Sequence, residues 1–217
     1  MNKALLFDLN GTMVDDMNYH IQAWYRISRE LGAALTLEEV KAECYGKNGE
    51  VLERIFPGRF TEEEKNRISI EKEIQYRREF KPYLKLLDGL DKFLALAHAH
   101  GWKMGIGSAA IQSNVDFVLD GLNIRDYFGA IVSADQVVHS KPDPETFLTC
   151  ARLLDTDPSR CIVFEDAPKG VESAVRTGMK TVILTTMHEK HEFSHYPDTL
   201  LFTRDYTDPE LPELLKK

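Results

Sequence analysis

Cysteine is scarce in this chain. Its 217 residues hold Cys44, Cys150 and Cys161, an odd number with no paired spacing, which leaves no disulfide framework to read. Cys150 and Cys161 lie in apolar stretches and read as buried free thiols, as suits a reducing cytoplasm. Long apolar runs are lacking too. No stretch approaches the roughly 20 residues that span a bilayer, and no basic-then-apolar leader precedes the first strand, so no membrane partner is expected. Positive charge is in deficit: 27 Lys and Arg face 35 Asp and Glu, for a formal net charge of -8. Such a balance argues against a nucleic-acid-binding surface. It leaves phosphorylated small molecules open, because one lysine or a bound metal reverses the field of a single pocket. Repeats and low-complexity tracts are absent. A monomer is the default expectation.

The chain changes character twice. A short apolar run, Leu5-Leu6-Phe7, leads to Asp8 and then turns through Gly11. From there to about Leu84 the pattern is helical and charged. Ile21, Trp24, Tyr25, Ser28 and Leu31 recur at helical spacing before Gly32. Thr36 with Glu39 reads as a capping box. A third helix is expected over Asn48–Phe56, and a fourth runs from a Thr61 cap to Phe80, stopped by Pro82. From Leu86 onward, short apolar strands alternate with amphipathic helices. Strands are expected at Lys103–Gly107, Ala130–Ser133, Cys161–Phe164, Lys180–Leu184 and Thr199–Phe202. Helices are expected at Asp91–His100, Ser113–Leu122, Pro144–Leu154 (with Phe147, Leu148, Ala151 and Leu154 inward) and Lys169–Thr177. This alternation predicts an α/β fold, a doubly wound parallel sheet covered on both faces. An all-helical insert interrupts it after the first strand and reads as a lid. The expected division is a core of residues 1–14 and 84–217 and a cap of residues 15–83.

In such a sheet, chemistry gathers at the carboxyl ends of the strands. The first strand delivers Asp8 there, the second Ser108, a loop Lys141, and a later strand Glu165-Asp166. Asp8 is suited to nucleophilic attack on phosphorus through a covalent intermediate. Ser108 can donate to a phosphoryl oxygen. Lys141 supplies a point charge against developing negative charge. Glu165 and Asp166 are hard oxygen donors of the kind Mg²⁺ takes.

The order Asp8-Leu9-Asn10-Gly11-Thr12, Ser108, Lys141-Pro142 and Phe164-Glu165-Asp166-Ala167-Pro168-Lys169-Gly170 resembles the four motifs of the haloacid dehalogenase superfamily. The helical insert resembles its C1-type cap, and the whole chain is similar to the β-phosphoglucomutase-like phosphatases. The resemblance implies a Rossmann-like core and a Mg²⁺-dependent phosphatase for a small phosphorylated metabolite, working through an aspartyl-phosphate on Asp8. It implies metal ligation by Asp8, the main-chain carbonyl of Asn10, and Asp166, with Glu165 beside them. It places Ser108, Ala109 and Lys141 on the phosphoryl group, Asn114 and Lys169 near the rim, and His20 and Trp24 in the cap. By position alone Trp24 reads as cap core, and Gly170 as a residue for close helix packing.

Two departures shape the expectation. The superfamily's acid/base aspartate stands two residues after the nucleophile, where this chain has Asn10. An amide cannot pass a proton near pH 7, and such transfer is typically worth about 10²–10⁴-fold in rate, so slow turnover is expected. A catalytically impaired phospholigand-binding protein is the alternative from another class, and an engineered Asn10 that traps substrate is a third explanation. In the cap loop Gly46-Lys47-Asn48-Gly49-Glu50, Gly49 stands where the mutases carry a phosphate-binding arginine. Lys47 replaces it only as a flexible charge without the bidentate fork, which favours hydrolysis over the alternative of a hexose-phosphate mutase. His188, His191 and His195 lie in a polar loop and carry no metal assignment.

Overall fold

The computed structural model describes residues 3–196 and 199–216. The expected outer limits of the core, Met1 and Lys217, lie outside the described residues. The chain forms two compact units, one that runs to Asp15 and resumes at Lys85, and one of Asp16–Leu84.

The first unit is built on a six-stranded sheet: β1 (Ala4–Phe7), β2 (Lys103–Gly107), β3 (Ala130–Val132), β4 (Cys161–Glu165), β5 (Lys180–Leu184) and β6 (Thr199–Thr203). Its order is β3-β2-β1-β4-β5-β6, and all neighbours pair in parallel. All four residues of β1 are buried, which is why the strand is uniformly apolar rather than alternating. Phe7 stacks on Phe164 of β4 with ring centroids 4.7 Å apart. The chain winds outward from β1 to β3, then crosses back to place β4 on the other side of β1. The order therefore reverses between β1 and β4, the position at which open α/β sheets leave a crevice.

Helices α5 (Leu90–Ala99), α6 (Gln112–Gly121), α7 (Glu145–Leu153), α8 (Pro168–Val175) and α9 (Leu211–Leu214) belong to this unit. Phe147, Cys150, Ala151 and Leu154 pack with Leu6, Val132 and Val163 in one core cluster. Leu148, expected inward, is instead 40 % exposed. It lies about 100° around the helix from Phe147, beyond the edge of a stripe that the small, buried Cys150 completes. The segment after β6, which the sequence leaves without an element, forms α9. Leu211 and Leu214 are buried there, and the Trp102 indole donates to the Leu215 carbonyl at 3.1 Å.

The second unit is helical: α1 (Met17–Glu30), α2 (Leu37–Glu43), α3 (Asn48–Ile55) and α4 (Glu62–Phe80). Full capping boxes start α2 at Thr36 with Glu39 and α4 at Thr61 with Glu64. Trp24, Ile27, Val40, Val51, Leu52, Phe56 and Ile68 form its core, so Trp24 is a packing residue of this unit. Among the described residues no helix is long and apolar enough to cross a membrane.

Candidate active site

The turn after β1 is fastened from several directions. The Asp8 amide donates to the Phe164 carbonyl at 2.9 Å, extending the β1–β4 ladder by one residue. Gly11 follows with φ +75°, and a Cβ on it would enter the carboxylate of Asp166. Both facts require glycine here. Thr12 Oγ1 donates to Asp166 Oδ1 at 3.1 Å. The Gly11 carbonyl accepts from Thr186 Oγ1 at 2.6 Å, and the Thr12 carbonyl from the Tyr206 hydroxyl at 3.1 Å. The roles of Thr12, Thr186 and Tyr206 were not legible from spacing, because the last two approach from distant parts of the chain.

Lys141 joins the two strand ends. Its Nζ donates to Asp8 Oδ1 at 2.7 Å and to Glu165 Oε1 at 2.8 Å. The Lys141–Pro142 peptide is cis. Asp8, Lys141, Glu165 and Asp166 are 7 %, 8 %, 2 % and 3 % exposed, so these charges face one another with little water between them. Glu165 Oε2 accepts from the amides of Asp166 and Ala167, each at 2.9 Å. With Lys141 on the other oxygen, both oxygens of this carboxylate are bonded. Beside its expected place among the metal ligands, Glu165 holds Lys141 and the start of α8. Gly170 is explained by the same carboxylate, since a Cβ there would fall inside it.

Burial pushes the Asp8 carboxyl up to about 7; Lys141 pulls it down and Glu165 pushes it up. Burial, then Glu165 and Asp8, push Asp166 well above the usual carboxylate range. For Lys141, burial opposes the charge, but Asp8 and Glu165 outweigh it and hold the ammonium firmly protonated. Three carboxyl groups thus meet one ammonium, and ionising all three would leave negative charge uncompensated. The donor chemistry fits a hard divalent cation, which would relieve that excess. Among the described residues no three His, Cys, Asp or Glu side chains form a metal-binding group. An ion here would therefore rest on Asp8, Asp166 and main-chain or other oxygens, as Mg²⁺ commonly does.

The remaining expected residues divide between the units. Ser108 follows β2, which pairs with β1 up to Ile106 opposite Phe7. Its amide donates to the Val132 carbonyl at 2.9 Å, and its Oγ accepts from the Ala110 amide at 3.1 Å. Ala109 is half-buried, and Asn114 is fully buried in the first turn of α6. Asn10 is half-buried and bridges to Val14. His20 and Lys47 belong to the helical unit. Lys47 precedes α3, its amide donating to Glu50 Oε2 at 2.9 Å. His20 is part of a buried polar network. Lys72 Nζ lies 2.6 Å from His20 Nδ1 and donates to Glu73 Oε1 at 2.9 Å, which also accepts from Asn48 Nδ2 at 2.7 Å. The His20 ring stacks on Tyr76, whose hydroxyl donates to Asp16 Oδ2 at 2.5 Å. Sequence reasoning missed Asp16, Lys72, Glu73 and Tyr76. The available signal was a charged pair set inside the buried stripe Ile68–Tyr76–Phe80 of α4.

This architecture is a parallel α/β sheet with an acidic residue at the end of its first strand and a helical insert following that strand in sequence. The chain belongs to the haloacid dehalogenase-like hydrolase family, whose pattern it matches over residues 5–184. It is 29 % identical to the fructose-1-phosphate phosphatase YqaB of Escherichia coli over 183 residues, covering 82 % of this chain and 94 % of that one. It is 31 % identical to the beta-phosphoglucomutase of Bacillus subtilis over 187 residues, covering 83 % and 82 %. The crystal structure of beta-phosphoglucomutase from Clostridium difficile superposes with a TM-score of 0.86 at 27 % identity, covering 99 % and 97 %. The protein is an enzyme of this phosphatase and phosphotransferase class, similar in fold to the β-phosphoglucomutases.

Proposed function

We propose that the protein is a slow, Mg²⁺-dependent phosphatase of a small phosphorylated carbohydrate, with Asp8 as nucleophile. The observation that carries this reading is the Lys141 ammonium, 2.7 Å from Asp8 and 2.8 Å from Glu165 at the reversal point of the sheet. A lysine so held fixes the rotamer of Asp8 and offsets charge as an anionic nucleophile meets an anionic phosphoryl group. The activities named for YqaB and for the two mutases support the substrate class.

Asp8 attacks phosphorus; the bond to the ester oxygen breaks and an aspartyl-phosphate forms on Asp8. The Ser108 hydroxyl and the Ala109 amide donate to phosphoryl oxygens, and Lys141 balances the charge they share. Asn114, at the start of α6, helps shape the rim. Asp8, Asp166 and the Asn10 carbonyl would hold Mg²⁺, which when bound supplies positive charge to nucleophile and phosphoryl group. The departing alcohol takes its proton from water, because Asn10 has none to give at neutral pH. Water then releases inorganic phosphate and restores Asp8. His20 and Lys47 are assigned to substrate contact in the helical unit.

The test is phosphate release from a panel of sugar phosphates with Mg²⁺, for this chain and for Asn10→Asp. A gain of about 10²-fold or more in the Asp form is expected on its best substrate. No gain on any phosphoester sinks the account of Asn10. Absence of release by both forms, with ligand still bound, would mark a binding protein instead. The structural match to β-phosphoglucomutase favours a second reading, a hexose-phosphate mutase. It requires an isomerised product and activation by a sugar bisphosphate.

A further inference from the structure

We propose that Glu145 is a positioning residue for Lys141, an inference that rests on the reading of Lys141 above. A lysine stem has several rotatable bonds, so its ammonium stays between two carboxylates only if the backbone beneath it is fixed. That backbone is a loop between β3 and α7 whose Val138 is 74 % exposed. Packing does not hold such a residue. Hydrogen bonds do: the Val138 amide donates to both Glu145 carboxylate oxygens at 3.0 Å, and the His139 amide donates to Oε2 at 2.8 Å. Two main-chain donors therefore converge on one carboxylate at the first residue of α7. Charge-assisted bonds of this kind are about twice as strong as neutral ones, and the helix dipole favours the carboxylate at that end.

The far side of the loop is pinned separately. Ser173 Oγ of α8 donates to the Asp143 carbonyl at 2.7 Å, and Arg176 Nη1 to the Pro142 carbonyl at 3.3 Å. The Glu145 amide closes back on Asp143 Oδ1 at 2.9 Å. Lys141 thus sits in a short strap with one anchor on α7 and another on α8. The α8 anchor comes from the helix whose start Glu165 also secures. On the side that precedes Lys141, Val137 is buried in the core cluster with Val132 and Phe147, and the Glu145 bonds fix the two residues that follow it. Loss of the Glu145 bonds loosens the exposed stretch between the packed Val137 and Lys141. The plainer reading makes Glu145 an acidic residue that merely starts α7. That reading predicts a loss of stability with chemistry untouched, and the same loss whether or not Lys141 is present.

The experiment is a double-mutant cycle on phosphate release, with Glu145→Ala, Glu145→Gln, Lys141→Ala and the pair Lys141→Ala/Glu145→Ala, each checked for folding by its melting temperature. Glu145→Ala should lower kcat by about 10-fold or more, since misplacement near 1 Å can cost about 10²-fold, with KM within about twofold. Glu145→Gln should recover part of the loss, because its amide oxygen still accepts from the loop, and it serves as the test variant if Glu145→Ala does not fold. The double variant should be no slower than Lys141→Ala alone, since residues that act as a unit are not additive. If both Glu145 variants keep the parent kcat, or if Glu145→Ala costs its full factor again without Lys141, the proposal is overturned. A parent that releases phosphate and is slowed by Lys141→Ala but not by the Glu145 changes overturns this inference alone. A parent indifferent to Lys141→Ala overturns the proposed function, and the role of Glu145 with it.

Discussion

Gly170 and Glu165 share one volume. A Cβ on Gly170 would lie inside the Glu165 carboxylate, which itself spans Lys141 and the amides of Asp166 and Ala167. The glycine exists to admit a charged group to the start of α8, and only indirectly to bring a helix close to a strand.

Gly170→Ala should therefore injure the site more than the fold. Overpacking typically costs about 1–3 kcal/mol, which the chain survives if Glu165 swings aside. The swing releases Lys141 from one of its two partners. We expect a folded protein with kcat reduced by about 10²-fold, read from phosphate release beside a denaturation curve. An unchanged kcat would show that Glu165 does not hold Lys141 in the working enzyme.

The buried pair in the helical unit yields a second prediction. Lys72 and Glu73 are 2 % and 3 % exposed and bonded to each other, with His20 and Asn48 completing the cluster. Lys72→Ala removes the ammonium from Glu73 Oε1 and leaves a buried carboxylate without that cation, with Asn48 still donating to it. Breaking a buried pair on one side costs about 3–5 kcal/mol, whereas replacing both partners by apolar residues is often neutral. Urea unfolding should thus show a large loss for Lys72→Ala and a smaller one for Lys72→Met/Glu73→Leu. If the double change costs as much as the single, the pair is not the unit that matters.

These two cases mark what could be read from the sequence. The sheet was legible because β1, β2, β4 and β5 are near-continuous apolar runs, the pattern a strand shows when both faces are covered. Asp8, Lys141 and Asp166 were legible because strand ends and their motifs fix them by position. The duty of Glu165 was not, since it depends on where the amides of Asp166 and Ala167 point. Lys72 and Glu73 look like surface charges in a charged helix, and only their partners on α1 and α3 reveal them as buried. Leu148 failed for a local reason, lying just past the edge of an amphipathic stripe.

The last prediction concerns charge and pH. The folded-state pKa of Asp8 is raised from 3.8 to about 7, so the folded protein binds this proton more tightly than the unfolded chain does. By linkage, the contribution of Asp8 to stability is greatest at low pH and declines as pH rises from about 4 to about 7. Asp166, raised for the same reasons, works in the same direction. In EDTA the melting temperature should accordingly carry a downward component between pH 5 and pH 8, and Asp8→Asn should reduce that component. A divalent cation that binds the folded state alone stabilises it by mass action, and it binds best where the carboxyls are ionised. Mg²⁺ should therefore raise the melting temperature more at pH 8 than at pH 5, with a smaller rise in Asp8→Asn. An equal rise at both pH values, or an undiminished rise in Asp8→Asn, would place the ion away from this carboxylate cluster.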